Sequence, residues 1–481
     1  MISYRQRGTV LTDHTFSVPL DHDRPGAGRI EVFAREVVAA DKAGAGLPWL
    51  LFLQGGPGFS GPRLSGRASW LARGLDDFRV LLLDQRGTGR STPVTRHTLD
   101  GLGSAGDQAA YLSLFRADAI VRDAELIRRE LTGGERWSVL GQSFGGFCTV
   151  TYLSRAPEGI REAFITGGLP GLTATPDDVY RATYPRVRAR NKAHYARYPA
   201  DADQARKVAR HLASTEVSLP DGMRLTVEAF QSLGSMLGQS SGSDDLHYLL
   251  EGAFAGGRLS DAFLHAVHGR LSFAPAPLYA TLQEACYAQG SATRWAAERI
   301  RGEFGEFDPV AAVDGDQPLL FTGEMIYPWM FDLDPALRPL RDAAGVLAAR
   351  EDWPPLYDPA QLAANEVPAA AAVYFNDMFV PHELSLPTAA ATRGLTPWVT
   401  SEYEHDGLRV SGGTVLGRLI DLTRGLALCR PAAPCPANRP SRQPPPPASH
   451  RPPASRPPGR WRLPPARLVP LNSCDQASNL G

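Results

Sequence analysis

The sequence predicts an α/β fold in which a mostly parallel sheet, flanked by helices, is interrupted by a long, mainly helical insertion. Three observations carry that prediction. Short apolar runs alternate with helical spacing over roughly the first 170 residues, a helical stretch of different character follows, and the strand pattern then resumes before a closing helix.

In chain order, "RIEVFAREVVA" (Arg29 to Ala39) alternates as a half-buried strand does, while "LPWLLFL" and "FRVLLLD" are continuous apolar runs closed by Gly-rich turns. Ile120, Val121, Ala124, Ile127 and Leu131 recur at helical spacing, and "WSVLG" and "REAFITGG" are two further short strands. This rhythm implies a parallel sheet covered on both faces. Between about Leu172 and Gln361, "DADQARKVARHLA" and "SATRWAAERIRGEF" read as helices among loops rich in aromatics and proline. "VPAAAAVYFND" and "TPWVTSEYEHDG" resume the strands, and "GTVLGRLIDLTRGLA" closes as a helix. The expected division is therefore a core in two parts, 1–171 and 362–425, a helical insertion 172–361, and a tail 426–481. The tail is rich in Pro and Arg and cannot bury a core, so it is expected to be disordered or polyproline-like. An unselected, frameshifted C-terminus is preferred for it over an SH3-type ligand or a basic tether.

Composition narrows the function. Of 481 residues 43% are hydrophobic and 21% charged, the balance of a soluble globular protein. Net charge is −1; the tail carries +7 from eight Arg and Asp475, so the body carries −8, which argues against a nucleic-acid surface. "MISYRQRGTVLTDHTF" has no apolar core of signal-peptide length and no 18-residue apolar run occurs, so a cytoplasmic protein without membrane contact is expected. Five cysteines without CxxC spacing suit reduced structural thiols rather than disulfides or zinc.

"SVLGQSFGGF" places Ser143 in G-x-S-x-G between a strand and a helix. A nucleophile on so tight a turn needs small neighbours, and Gly141, Gly145 and Gly146 supply them. A serine hydroxyl needs a base, and the base an orienting acid. In this architecture they follow in the order Ser, acid, His. Asp377 ends "AAVYFND" and His405 follows "PWVTSEYEH", both beyond strand C-termini, where a parallel sheet presents its site. His382 reads as a surface or packing residue. Acyl transfer also builds an oxyanion that preformed amides must meet. Phe144, after the nucleophile, offers one, and Gly55 and Gly56 in "FLQGGPGFSG" offer bare backbone at the end of a neighbouring strand. In "LLLDQRGTGRS", Asp84, Gln85 and Arg86 suit a buried polar knot bracing that loop.

Together, "GGPG" at Gly55–Gly58, "DQRGTGRS" at Asp84–Ser91, "GQSFGG" at Gly141–Gly146 and "EHDGLR" at Glu404–Arg409 resemble the prolyl aminopeptidase (proline iminopeptidase) family of α/β-hydrolase serine peptidases. "VPLDHDRP" and "GEMIYPWMF" are similar to its longer bacterial branch, and the likeness runs from about Phe16 to Gly425. Gln54 departs from the His that many relatives carry before the glycines, and backbone oxyanion donation should survive that change. The resemblance implies an α/β-hydrolase core with a helical cap and release of an N-terminal proline from peptides, without metal or cofactor. It further implies Ser143 as nucleophile, His405 as general base and acid, and Asp377 as its orienter. Cap carboxylates are implied to hold the substrate's amino terminus, with Glu284 and Glu324 as candidates; either reads equally as an ordinary solvated carboxylate. Phe147, Tyr327 and Trp329 suit core packing or, alternatively, the wall of a proline ring. Two rivals stay open at this point: an esterase or amide hydrolase of the same fold acting on uncharged substrates, and a non-catalytic binding protein on a hydrolase scaffold. Oligomeric state is not legible.

Overall fold

A computed structural model describes residues 2–63, 66, 69–315 and 317–426. The tail expected to be disordered thus lies, after Leu426, outside the described residues. In chain order the strands are β1 (Ile2–Gln6), β2 (Thr9–Pro19), β3 (Arg29–Ala39), β4 (Trp49–Leu53), β5 (Arg79–Leu83), β6 (Trp137–Gln142) and β7 (Ile160–Thr166). A two-residue pair follows, β8 (Phe254–Ala255) and β9 (Arg258–Leu259), and then β10 (Ala369–Tyr374) and β11 (Leu395–Thr400). All but β8 and β9 form one sheet, ordered β1-β2-β3-β5-β4-β6-β7-β10-β11. From β5 to β11 every pairing is parallel, whereas β1, β2, β3 and β5 pair antiparallel.

The continuous apolar runs are explained by burial on both faces. Leu51, Leu53, Leu81, Leu83, Val139 and Ile165 point to one side, against the helices Ala117–Thr132 and Phe144–Arg155. Their neighbours Leu50, Phe52, Val80, Leu82, Leu140 and Phe164 point to the other, against Ser69–Asp77 and the closing helix Thr414–Thr423. Alternate residues of a strand face opposite ways, so two covered faces leave no polar position.

The N-terminal ribbon is less visible in sequence. Nearly all of β1 is exposed, and the inward positions of β2 include Thr9 and His14, the latter bonded through Nε2 to Glu36 Oε2 at 3.0 Å. Such a strand shows no apolar alternation. Between β7 and β10 the chain is largely helical, beginning with Pro176–Arg197, whose N-terminus is fixed by a capping box of Thr175 and Asp178. "DADQARKVARHLA" becomes the helix Asp201–Ser214. Of "SATRWAAERIRGEF" only Ala296–Arg301 is helical, because Arg294 and Trp295 before it take φ of 49° and 55°, outside helical space. The insertion shares its apolar core with the sheet: Tyr180, Tyr184 and Val187 belong to the same buried cluster as Ile165 and Leu169.

Sheet order also selects the position of the site. From β4 the chain moves outward to β5, then returns past β4 to β6. The crevice beyond the C-termini of β4 and β6 is thus a switch point, where neighbouring loops diverge and leave room for a ligand.

Candidate active site

Ser143 sits in that crevice, between β6 and the helix Phe144–Arg155, with φ 56° and ψ −125°. A non-glycine residue held at positive φ is strained, and the surroundings must enforce it. They do so by close approach: a Cβ on Gly145 would stand 1.9 Å from Leu53 O, and one on Gly141 would stand 2.2 Å from Gly145 O. Ser143 N donates to Thr166 O at 3.0 Å, pinning the turn to β7. The Ser143 hydroxyl has no hydrogen-bond partner among the described residues and opens into a cavity of about 430 Å³.

His405 lines the same cavity. Its Nδ1 pairs with Asp377 Oδ2 at 2.7 Å, and both residues are buried. Asp377 is held in turn by two backbone donors, Phe379 N at 2.8 Å and Val380 N at 3.1 Å, both onto Oδ1. Burial of the imidazole opposes its protonation. The charge and hydrogen bond of Asp377 outweigh that, with Glu324 adding to them, so the His405 pKa lies above its ordinary value. The Phe379 ring meets the imidazole edge-on, with centroids 4.9 Å apart. Gly167 and Gly168, ending β7, lie between the serine and the histidine. A Cβ at Gly168 would stand 2.4 Å from Ser143 O, and one at Gly167 would stand 3.2 Å from His405 Nδ1. In the sequence the paired glycines of "ITGG" are the local signal for this contact.

Gly55 and Gly56 border the cavity on the β4 side. A Cβ on Gly55 would stand 2.9 Å from Ser143 Cβ, so this glycine lies directly against the nucleophile turn. Phe144 opens its helix, and its amide therefore has no intrahelical acceptor. The loop is braced from β5: Gln85 Nε2 donates to Gln54 O at 3.0 Å. Asp84 accepts from Gly61 N and Arg90 N at 3.0 and 2.9 Å, and Arg86, fully buried, pairs with Asp123 and donates to Pro19 O, Leu20 O and Leu114 O. Asp84 and Gln85 thus brace the loop as expected, whereas Arg86 ties β5 to the end of β2 and to the helix Ala117–Thr132 instead.

Glu324 lines the cavity with Ser143 and His405; Tyr279 OH donates to its Oε1 at 2.8 Å. Burial pushes its pKa up, while the His405 charge and the Tyr279 bond pull it back. Glu284 is not brought to the Ser143 cavity. It borders a smaller one that shares Ile326 with the adjoining space under Glu324. Glu284 Oε1 accepts from Ala297 N at 2.9 Å, its buried Oε2 has no hydrogen-bond partner within normal distance among the described residues, and burial raises its pKa to about 7. Phe147, Tyr327 and Trp329 do not line the Ser143 cavity; its aromatic walls are Phe59, Phe273, Tyr279 and Phe379. Tyr327 is fully buried, hydrogen-bonded to Tyr184 at 3.0 Å. His382 stacks on Phe375, as a packing residue would. Sequence reasoning missed Tyr279 and Phe379, because no local motif marks a ring that reaches the site only through folding of the insertion and of the loop after β10.

Comparison with known proteins agrees with this architecture. The model of the alpha/beta hydrolase fold matches residues 48–251. The chain is 50% identical over 424 residues to a proline iminopeptidase of Aeromonas sobria, covering 88% of this chain and 99% of that relative. It is 36% identical over 423 residues to the proline iminopeptidase aneH of Aspergillus aculeatus, covering 85% of this chain and 92% of the relative. No helix among the described residues is long and apolar enough to cross a membrane.

Proposed function

The chain belongs to the proline iminopeptidase family of α/β hydrolases, and on that premise we propose that it is a serine exopeptidase releasing N-terminal proline from peptides. Ser143 Oγ attacks the prolyl carbonyl carbon while His405 Nε2 takes the hydroxyl proton. Asp377 fixes the ring through Nδ1 and stabilises the imidazolium. The oxyanion is met by the amides of Phe144, Gly55 and Gly56; removal of one such donor typically slows turnover about 10²–10³-fold. Collapse breaks the C–N bond, and the departing amine takes the proton from His405, leaving a prolyl ester on Ser143. Water then gives a proton to His405, attacks the ester, and frees proline with the serine hydroxyl restored.

The observation that carries the aminopeptidase assignment is Glu324, a half-buried carboxylate in the same cavity as Ser143 and His405. An exopeptidase must hold a cation at a fixed distance from the scissile carbonyl, and a carboxylate with no ion pair among the described residues is suited to one. Glu284 lies outside this cavity, in a smaller one of its own, and is not part of the cation site. Residues 172–361 then serve as the cap that brings Glu324 over the core formed by 1–171 and 362–425.

Hydrolysis of a proline arylamide and of its N-acetylated form, compared at equal concentration, tests the proposal. Turnover of the free amine alone is expected. Equal rates for the two would overturn the aminopeptidase assignment in favour of a general amide hydrolase.

A further inference from the structure

The aminopeptidase reading explains the carboxylate of the Ser143 cavity, Glu324, but not its cations. Arg270 and Arg409 both line it. Arg270 donates to Ala266 O at 3.2 Å and also borders the adjoining space that Glu324 lines. Arg409 is different. It lies four residues after His405, in the short helix Gly407–Val410, and its side chain has no ion pair or hydrogen bond among the described residues. The acids of its own segment are committed elsewhere: Glu404 pairs with Arg190, and Asp406 Oδ1 accepts from Ser240 Oγ at 2.7 Å. Ser69 Oγ donates to Arg409 O at 2.5 Å and fixes the backbone that carries the guanidinium.

The direction of the chemistry says what this cation faces. His405 returns its proton to the departing amine, so the released part of the peptide must lie on the His405 side of the cavity. Arg409, four residues after His405, lines the cavity with it, and its charge is felt at the imidazole. The cavity, about 430 Å³ and open to solvent past Phe59 and Arg409, is of small-ligand size. A short peptide in it presents an ammonium at one end and a carboxylate at the other. Glu324 at the amine end and the Arg409 guanidinium, unpaired among the described residues, at the leaving-group end match that zwitterion in sign and order.

Building on the aminopeptidase reading, we infer that Arg409 binds the free C-terminal carboxylate of the substrate and so makes short peptides with an unblocked C-terminus the preferred substrate class. Arg409 is a specificity residue here; it takes no part in bond making.

The test is kcat/KM for matched pairs, prolyl-alanine and prolyl-dialanine against their C-terminal amides, in the full chain at low and high salt. At one of the two lengths the free acid is expected to be favoured about fivefold, the scale of one exposed charge pair. That preference is expected to shrink as salt screens it. Arg409→Glu should reverse the preference toward the amide, and Arg409→Lys should retain part of it. Circular dichroism confirms that each variant is folded. An acid-to-amide ratio near one in the unaltered enzyme at both lengths, or a ratio unmoved in folded R409E, overturns the inference. Failure of the unaltered enzyme to cleave proline arylamide would instead overturn the reading on which the inference rests, so the two failures are distinct.

Discussion

Replacing Glu284 by Gln tests whether a buried charge is maintained at the expense of stability. The carboxyl is buried, with Ala297 N on Oε1 at 2.9 Å, no hydrogen-bond partner within normal distance of Oε2 among the described residues, and a pKa raised to about 7 from an ordinary 4.5. That displacement makes the ionised form costlier in the native state by about 3 kcal/mol at pH 8. Because the folded value is raised, the native chain keeps a proton that the unfolded chain has already released between pH 4.5 and about 7. The stabilisation is therefore fully present below 4.5 and is lost as pH rises through about 7. Gln carries no such proton. With an unfolding entropy of roughly 0.9 kcal/mol/K for a fold of this size, the Tm advantage of E284Q over the unaltered enzyme should grow by about 3 °C from pH 5 to pH 8. Differential scanning calorimetry at constant ionic strength measures it. A difference that stays flat or falls with pH refutes the reasoning.

Three further outcomes follow from the geometry. Asp377→Asn should lower kcat by on the order of 10⁴-fold. The acidic limb of kcat/KM, which reports the free imidazole and lies above the ordinary histidine value in the unaltered enzyme, should move to lower pH, because burial then acts on His405 without its main opponent; a pH–rate profile shows both. Gln85→Leu removes the 3.0 Å donor to Gln54 O and should reduce kcat severalfold with KM little changed, as steady-state kinetics would register. Gly145→Ala places a methyl 1.9 Å from Leu53 O, so about 2–4 kcal/mol of stability and most activity should be lost, as thermal unfolding and arylamide turnover will show.

The parts of the site that were legible share one property: their requirements lie within a few residues of themselves. The turn at Ser143 demands glycines two and three positions away, and Gly55 and Gly56 follow a recognisable buried strand. Asp377 and His405 were legible as residues just past strand ends, in an order the architecture prescribes. The ribbon β1–β2 was not, because its exposure and its buried Thr9 and His14 erase the apolar rhythm. The cavity walls were not either. Phe147, Tyr327 and Trp329 do not line the Ser143 cavity, though Trp329 borders the adjoining space with Glu324, whereas Phe59, Phe273, Tyr279 and Phe379 line it.

By itself, then, the sequence determined the α/β layering, the nucleophile turn and the bare-backbone loop, since steric and periodic constraints on a backbone act over the length of one element. Tertiary structure alone decided which carboxylate faces the nucleophile's cavity, which rings wall it, and that Arg409 lines it unpaired among the described residues. Those relations join residues scores of positions apart, and only the packing of the insertion against the sheet sets their distances.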